Sequence, residues 1–310
     1  ATVLNIDPRK ARGFAGIFYA PLDDPPRLPL QSSDTKHQGI TMKTLRWGIL
    51  GAAQFAQEQM APAIHAAKGA ELVALATSHP DKAAPFQAFA PQLATHSSYE
   101  ALLADPDIDA VYIPLPNHLH VEWTLKALKA GKHVLCEKPM AMQAQDYERL
   151  ISARDTTGLL AAEAFMIVHH PQWIRAREIV QSGSLGRLRH VAVNFSFFND
   201  DTGNIRNDPK AGGGVLPDIG TYAFGCTRFV TGQEPTAISH AKIDYENDVD
   251  VFAQVADFLL NRRAVDIRNT HCAFGQDRAA FGGHLGETAR KEEPFGRVAA
   301  LEDGRGAVAV

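Results

Sequence analysis

Cysteine is scarce: the 310-residue chain has three, Cys136, Cys226 and Cys272, with no CxxC pair and no metal-ligand spacing among them. That excludes a disulfide framework and suits reduced thiols in a cytoplasmic protein. Long apolar runs are missing too, since no stretch approaches the ~20 residues of a membrane-crossing helix. Nor is there an excess of basic charge. The 31 Lys+Arg against 35 Asp+Glu leave a formal net charge of -4, which argues against nucleic acid or an anionic membrane as the main partner. What is present is ordinary for a globular protein, with 45% hydrophobic and 21% charged residues. The length is comfortable for two domains rather than one core.

Residues 1–41 stand apart. They carry five prolines, Pro8, Pro21, Pro25, Pro26 and Pro29, in a mixed sequence. Gly13 to Leu22 is mildly apolar but lacks a convincing cleavage site, so a signal peptide is disfavoured. Met42-Lys43-Thr44 directly precedes a strong first strand. Residues 1–41 are therefore expected to be a poorly ordered surface extension.

From Leu45 short apolar strands alternate with helical stretches, the signature of βαβ units and a parallel sheet. Strands are expected at Leu45–Leu50, Leu72–Thr77, Ala110–Ile113, His133–Cys136 and Leu159–Ala164. Helices are expected over 54–67, 81–89, 118–130 and 143–157, with a capping box at Ser97-Ser98-Tyr99-Glu100 opening a short one. After Phe165 the rhythm changes. A helix over Pro171–Gln181 precedes a long strand, Leu188 to Phe198, with Val191, Val193, Phe195 and Phe197 on one face. A period of two suits an antiparallel-type sheet with one exposed face. The expected fold is α/β: an N-terminal Rossmann doubly wound parallel sheet over 42–165, then a C-terminal α+β domain over 166–310 built on an open, mostly antiparallel sheet.

Four clusters carry chemistry. Gly51-Ala52-Ala53-Gln54-Phe55-Ala56 follows the first strand and opens a helix. There a backbone turn and a helix N-terminus can face a pyrophosphate, which makes Gly51, Ala53, Gln54 and Phe55 candidate cofactor-binding residues, though a plain tight turn reads the same way. At the end of the second strand Ala76-Thr77-Ser78-His79 has no carboxylate before Asp81. An acidic residue there would hold ribose hydroxyls, so its absence favours NADP over NAD, with Ser78 and His79 as phosphate contacts. The same two residues would serve equally as plain loop. Glu137-Lys138-Pro139 lies at the carboxyl end of a strand, where ligands bind in open α/β sheets. Proline there keeps Lys138 out of helical geometry, and on these three residues alone a solvated Glu-Lys pair before a turn is the better reading. Gly212-Gly213-Gly214-Val215-Leu216-Pro217-Asp218-Ile219-Gly220-Thr221-Tyr222 is a glycine turn feeding a helix, and four-residue spacing puts Asp218 and Tyr222 on one face. A capping aspartate and a core tyrosine would read the same way.

These segments, with Pro114-Leu115-Pro116-Asn117-His118-Leu119-His120, occur in an order that resembles the glucose-fructose oxidoreductase/inositol dehydrogenase (Gfo/Idh/MocA) family from Leu45 to about Pro235. Tyr222 preceded by Asn204-Ile205-Arg206 resembles its dihydrodiol dehydrogenase and NADP-dependent xylose dehydrogenase branch. The resemblance implies a nicotinamide-dependent dehydrogenase acting on a sugar, cyclic polyol or dihydrodiol. It places catalytic Lys138 and Tyr222 beside the nicotinamide with Asp218 nearby, and Pro114, Asn117, His120 and Glu137 along the cofactor side. Arg206, Asp218 and Tyr222 become substrate-binding residues. Alcohol oxidation needs a base for the hydroxyl proton, and a tyrosine of ordinary pKa about 10 needs a neighbouring cation to serve near neutrality. Either Lys138 or Tyr222 fills that role.

No metal is expected. His118 with His120, and His169 with His170, lack a carboxylate or cysteine at ligand spacing. Two features depart from the family. Val168 stands where arginine is frequent, and after Leu260 the strand alternation fades into Gly, Arg and Ala, as at Gly282-Gly283, Gly304 and Gly306. An aberrant chain end is expected there, with a homo-oligomer only where the C-terminal sheet is intact. An NAD-dependent inositol dehydrogenase-type enzyme and a non-catalytic nicotinamide-binding regulator are the alternatives.

Overall fold

A computed structural model describes residues 43–186, 188, 190–259, 266–275, 299–300 and 307–309. The expected extension over 1–41 and most of the chain end after Leu260 lie outside the described residues. Two compact units divide at Phe165: residues 43–164, and the described residues from Phe165 onward.

The first unit alternates β1 (Leu45–Leu50), α1 (54–66), β2 (Ala70–Ala76), α2 (Ala84–Gln87), β3 (Ala94–His96), α3 (Tyr99–Ala104), β4 (Ala110–Ile113), α4 (His120–Lys129), β5 (His133–Glu137), α5 (Ala144–Thr157) and β6 (Ala161–Ala164). The sheet order is β3-β2-β1-β4-β5-β6, and every pairing is parallel. This is the doubly wound Rossmann order, which reverses direction between β1 and β4. All four residues of β4 are buried. Successive residues feed opposite faces: Leu50, Val111 and Ile113 join a core with Trp123, Leu128 and Leu150, while Ile49 and Tyr112 join one with Leu72, Leu75 and Phe86. A strand covered on both faces needs apolar residues at every position, which is why β4 reads as a continuous apolar run. Each fully buried leucine in these layers contributes roughly 1.5–3 kcal/mol.

Local details differ from the sequence expectation for identifiable reasons. The cap of α3 is Ser98 alone, whose hydroxyl accepts from Ala101 N–H at 3.1 Å; the residue three places on is alanine, so no reciprocal carboxylate completes a box. The expected helix over 81–89 starts as a 3₁₀ turn, Pro80–Ala83, before α2. Three-residue β3 pairs only with β2, at the sheet edge, and was not anticipated.

The second unit holds α6 (Pro171–Gln181) and α7 (Thr221–Thr231) beside a mixed sheet. The expected long strand is two, β7 (His190–Ala192) and β8 (Asn194–Phe198), both pairing with β11 (Asp266–Gly275). The longest ladders are antiparallel and join β9 (Pro235–Glu246), β10 (Val249–Leu259) and β11. Short β12 (Ala299–Ala300) and β13 (Ala307–Ala309) extend the far edge beyond β7. β9 turns into β10 through Asn247 and Asp248, both with positive φ (49° and 63°), as a two-residue hairpin turn requires. Among the described residues no helix is long and apolar enough to cross a membrane.

Candidate active site

In the first unit the predicted cofactor residues lie at or just after the carboxyl ends of β1, β2, β4 and β5, in the connecting loops or the first residues of the helices that follow, on one edge of one sheet. Gly51 follows β1 with φ +100°, and its N–H donates to Ala76 O at 2.9 Å. A Cβ there would lie 2.9 Å from Leu115 Cδ2, so both conformation and space demand glycine. Ala53 is half-buried, and Gln54 and Phe55 are exposed at the start of α1. Gln54 Nε2 donates to Glu58 Oε1 one turn on (2.7 Å). A π-helical turn, Ala56–Met60, follows at once.

After β2, buried Thr77 shapes the loop, its Oγ1 accepting from His79 N–H (3.2 Å) and donating to His79 O (3.3 Å). That leaves the side chains of Ser78 and His79 exposed. The loop fits a dinucleotide carrying an extra phosphate, because no carboxylate stands before Asp81 to repel it. Gly51, the start of α1 and the strand-order reversal fit a bound pyrophosphate.

After β4, Pro114 and Asn117 are half-buried, whereas His120 is fully buried, 0% exposed. His120 therefore stands behind the loops rather than lining them. Its Nδ1 lies 2.7 Å from Pro139 O and its Nε2 2.6 Å from Leu115 O. Burial pushes its pKa down, and the nearby charges of Lys138 and His118 push the same way against two favourable backbone contacts. After β5, half-buried Glu137 and Lys138 lead into a cis Lys138-Pro139 bond. Two supports escape sequence reasoning: Tyr112 donates its hydroxyl to Glu137 Oε1 (2.6 Å), and Glu163 Oε1 accepts from Met140 N–H (2.7 Å). Glu137 Oε2 in turn accepts from Lys138 N–H (3.2 Å).

The second unit gathers Arg206, Asp218 and Tyr222. Arg206 sits on a 3₁₀ turn, Ile205–Asn207, capped by Asn204 Oδ1 accepting Arg206 N–H (3.0 Å). Gly214 N–H donates to Arg206 O and Gly213 N–H to Asp208 O, both at 2.9 Å. A Cβ on Gly213 would strike both carbonyls, and one on Gly214 (φ +124°) would strike the Asp250 carboxylate. Asp218 lies in a π turn, Leu216–Gly220, immediately before α7. It is not the helix cap. That part belongs to Asp250 on β10, whose Oδ2 accepts from Leu216 N–H at 2.6 Å. Burial raises the Asp250 pKa against the hydrogen bonds from Leu216 and Val215. Arg206 Nε donates to Asp218 Oδ2 (2.6 Å), so arginine balances this largely buried carboxylate within its own unit. Tyr222 stacks on Phe165 (centroids 5.6 Å, 29°) and tilts against Phe195 (5.6 Å, 55°). Gly225 makes that stack possible, since a Cβ there would enter the Phe165 ring. Among the described residues no group of three His, Cys, Asp or Glu gathers as metal ligands.

Residues 45–165 match the oxidoreductase family with an NAD-binding Rossmann fold, and residues 173–286 match the Gfo/Idh/MocA C-terminal domain. An uncharacterised oxidoreductase of Rhizobium meliloti is 44% identical over 246 residues, 78% of this chain and 73% of that one. This chain belongs to the Gfo/Idh/MocA oxidoreductase family. Within it, an NADP-dependent D-xylose 1-dehydrogenase of Haloferax volcanii is 40% identical over 192 residues, 61% of this chain and 58% of that one. The structure of a 3-ketoreductase from Actinomadura kijaniata in complex with NADP and TDP-benzene superposes with a TM-score of 0.69 at 33% identity, over 75% of this chain and 70% of that one. Gfo/Idh/MocA membership makes the chain an oxidoreductase whose first unit matches an NAD-binding Rossmann fold.

Proposed function

We propose that this chain is an NADP-dependent dehydrogenase or reductase acting on a CH–OH or carbonyl group of a sugar, cyclic polyol or dihydrodiol. The observation that carries the reading is the placement of Lys138 on the same sheet edge as the Gly51 turn, with exposed Ser78 and His79 after β2 on that edge. The family and its NADP-dependent relatives support it. Bound nicotinamide supplies or accepts the hydride. The chain must then move one proton at the substrate oxygen, because oxidising a secondary alcohol releases a hydride from carbon and a proton from its hydroxyl.

Lys138 and Tyr222 are the proton-carrying groups. Tyr222 offers a hydroxyl on a ring fixed from two sides by Phe165 and Phe195. Asp218 binds a substrate hydroxyl, and Arg206 fixes its orientation through Oδ2. Asn117, Pro114 and Glu137 shape the cofactor side. The domain division is taken at Phe165, a cytoplasmic setting is consistent with the buried free thiols Cys136 and Cys226, and homo-oligomerisation belongs to the second unit's sheet.

The test is NADPH and NADH absorbance with aldoses, ketosugars, inositols and dihydrodiols, comparing wild type with Lys138→Ala and Tyr222→Phe. A kcat loss of about 10²-fold or more in both, with NADP affinity held within a few-fold, is expected. Full turnover in either variant removes that residue from catalysis. NADP binding without turnover on any substrate replaces the enzyme with a cofactor-binding regulator.

A further inference from the structure

His120 is the first residue of α4, and its ring has no access to solvent. It spans two loops that leave adjacent strands of the same sheet. Leu115, whose carbonyl lies 2.6 Å from Nε2, follows β4; Pro139, whose carbonyl lies 2.7 Å from Nδ1, follows β5. Carbonyl oxygens only accept, so a ring nitrogen engages either one only while it carries a hydrogen. The neutral ring has one N–H, and satisfying both carbonyls at once needs the imidazolium. Burial among apolar groups opposes that charge, as do the nearby charges on Lys138 and His118. The ring therefore has more acceptors than a neutral imidazole can serve, and one N–H is shared between two loops.

We propose that His120 is a positioning residue: its Nδ1–H, by holding the Pro139 carbonyl, fixes the turn that aims the Lys138 ammonium. This rests on the catalytic reading of Lys138. Three other contacts pin the same turn: Glu137 on Lys138 N–H, Tyr112 on Glu137, and Glu163 on Met140 N–H. His120 and Glu163 hold the two ends of one peptide, Pro139–Met140, the first after the Lys138-Pro139 bond, and His120 is the contact on its carbonyl. A Lys side chain has four rotatable carbons, so a small tilt of its backbone is amplified at Nζ. A misplacement of about 1 Å costs on the order of 10²-fold in rate.

The two ring nitrogens separate by substitution. His120→Asn keeps a donor where Nδ1 stands and loses the Nε2 donor; His120→Gln keeps a donor near Nε2 and loses Nδ1. Each variant, and the wild type, is reductively ¹³C-methylated, with the Lys138 methyl resonance assigned by its disappearance in Lys138→Arg. Melting temperatures confirm that both variants fold. The expected result is a Lys138 resonance unchanged in His120→Asn and shifted in His120→Gln. With it, kcat is held within about 3-fold in the first and falls about 10-fold or more in the second, with KM for NADP little changed in both. A Lys138 resonance that moves in neither variant, or equally in both, overturns the proposal. A resonance that moves as expected while Lys138→Ala retains full turnover leaves the positioning intact and removes the catalytic role of Lys138 instead.

Discussion

Replacing Asp250 with alanine should loosen the start of the helix that carries Asp218 and Tyr222. Asp250 comes from β10, 34 residues away from the amide it caps, and is 9% exposed. Its carboxylate accepts from Leu216 N–H at 2.6 Å and from Val215 N–H, and Val215 is fully buried. Losing a cap costs roughly 0.5–2 kcal/mol, and stranding a buried donor costs about 1–3 kcal/mol. Relief of the buried carboxylate's own desolvation returns part of this, so about 2 kcal/mol is the expected net loss. For a unit of this size that lowers Tm by about 4–8 °C. Read as local opening it speeds amide exchange over residues 215–222 by about 30-fold. Calorimetry and hydrogen exchange measure the two. The pH dependence gives a further check. Burial holds the folded Asp250 pKa above its ordinary 3.8, so between those values the folded state keeps a proton that the unfolded state has released. Its stabilising contribution is fully present below 3.8 and is lost as pH rises through the raised pKa. The stability of wild type relative to Asp250→Asn should therefore decline with rising pH across that window. An Asp250→Ala protein with unchanged Tm and unchanged exchange over 215–222 would refute the capping argument.

Gly51→Ala should weaken NADP binding about tenfold by calorimetric titration, since strain of roughly 1–3 kcal/mol at a positive φ adds to the Leu115 clash. Gly69→Ala is the control, with φ +82° but nothing within 4 Å of an added Cβ; it should cost stability and leave NADP affinity alone, and equal affinity losses in the two would sink the idea of a cradle. Asp109 accepts hydrogen bonds from Arg46 and Lys43, and these hold its carboxyl well below the usual range. Its contribution is present above the ordinary 3.8 and fades as pH falls through the depressed value. Urea midpoints of wild type and Asp109→Asn should thus differ near neutrality and converge in strong acid.

Much of the first unit was legible because its strands are covered on both faces. Ala110–Ile113 reads as four apolar residues in a row, and the expected strand and β4 coincide. Gly51 and Glu137-Lys138 stood out because each closes such a strand. β3 carried no such signal: its three residues, Ala94, Thr95 and His96, are exposed or half-exposed at the sheet edge. In the second unit, alternation from Val191 to Phe197 marked a half-covered sheet but could not reveal the break at Val193, where β8 begins a separate ladder with β11. The supporting polar groups were harder still. His120 is held by backbone carbonyls 5 residues before it and 19 after it, and a carbonyl has no residue type to read. Asp250 looks like a solvated acid in a strand. The usable hint was its position between buried Val249 and apolar Val251, where a half-covered sheet has little room for an unpaired charge.

These hidden groups share a task, which explains why they are polar yet wholly or partly buried. Thr77, His120, Glu137 and Glu163 in the first unit, and Asn204 and Asp250 in the second, all bond to loop backbone that no strand or helix satisfies. Where the backbone group is buried, each removes a penalty of about 1–3 kcal/mol for an orphan, and in doing so fixes a loop next to candidate site residues. The π turns belong to the same construction. Ala56–Met60 follows Gly51 and Leu216–Gly220 follows Gly214, each glycine with positive φ. A π turn inserts one residue into the helical ladder and is concentrated at functional sites. In the second unit the insertion sits between the Asp250 cap and α7. Deleting one residue there would rotate everything before it by about 100° about the helix axis. Arg206 is fixed through Gly214 rather than through α7. Asp218 pairs with Arg206 while Tyr222 lies on α7, so such a deletion would change the angle between the two side chains.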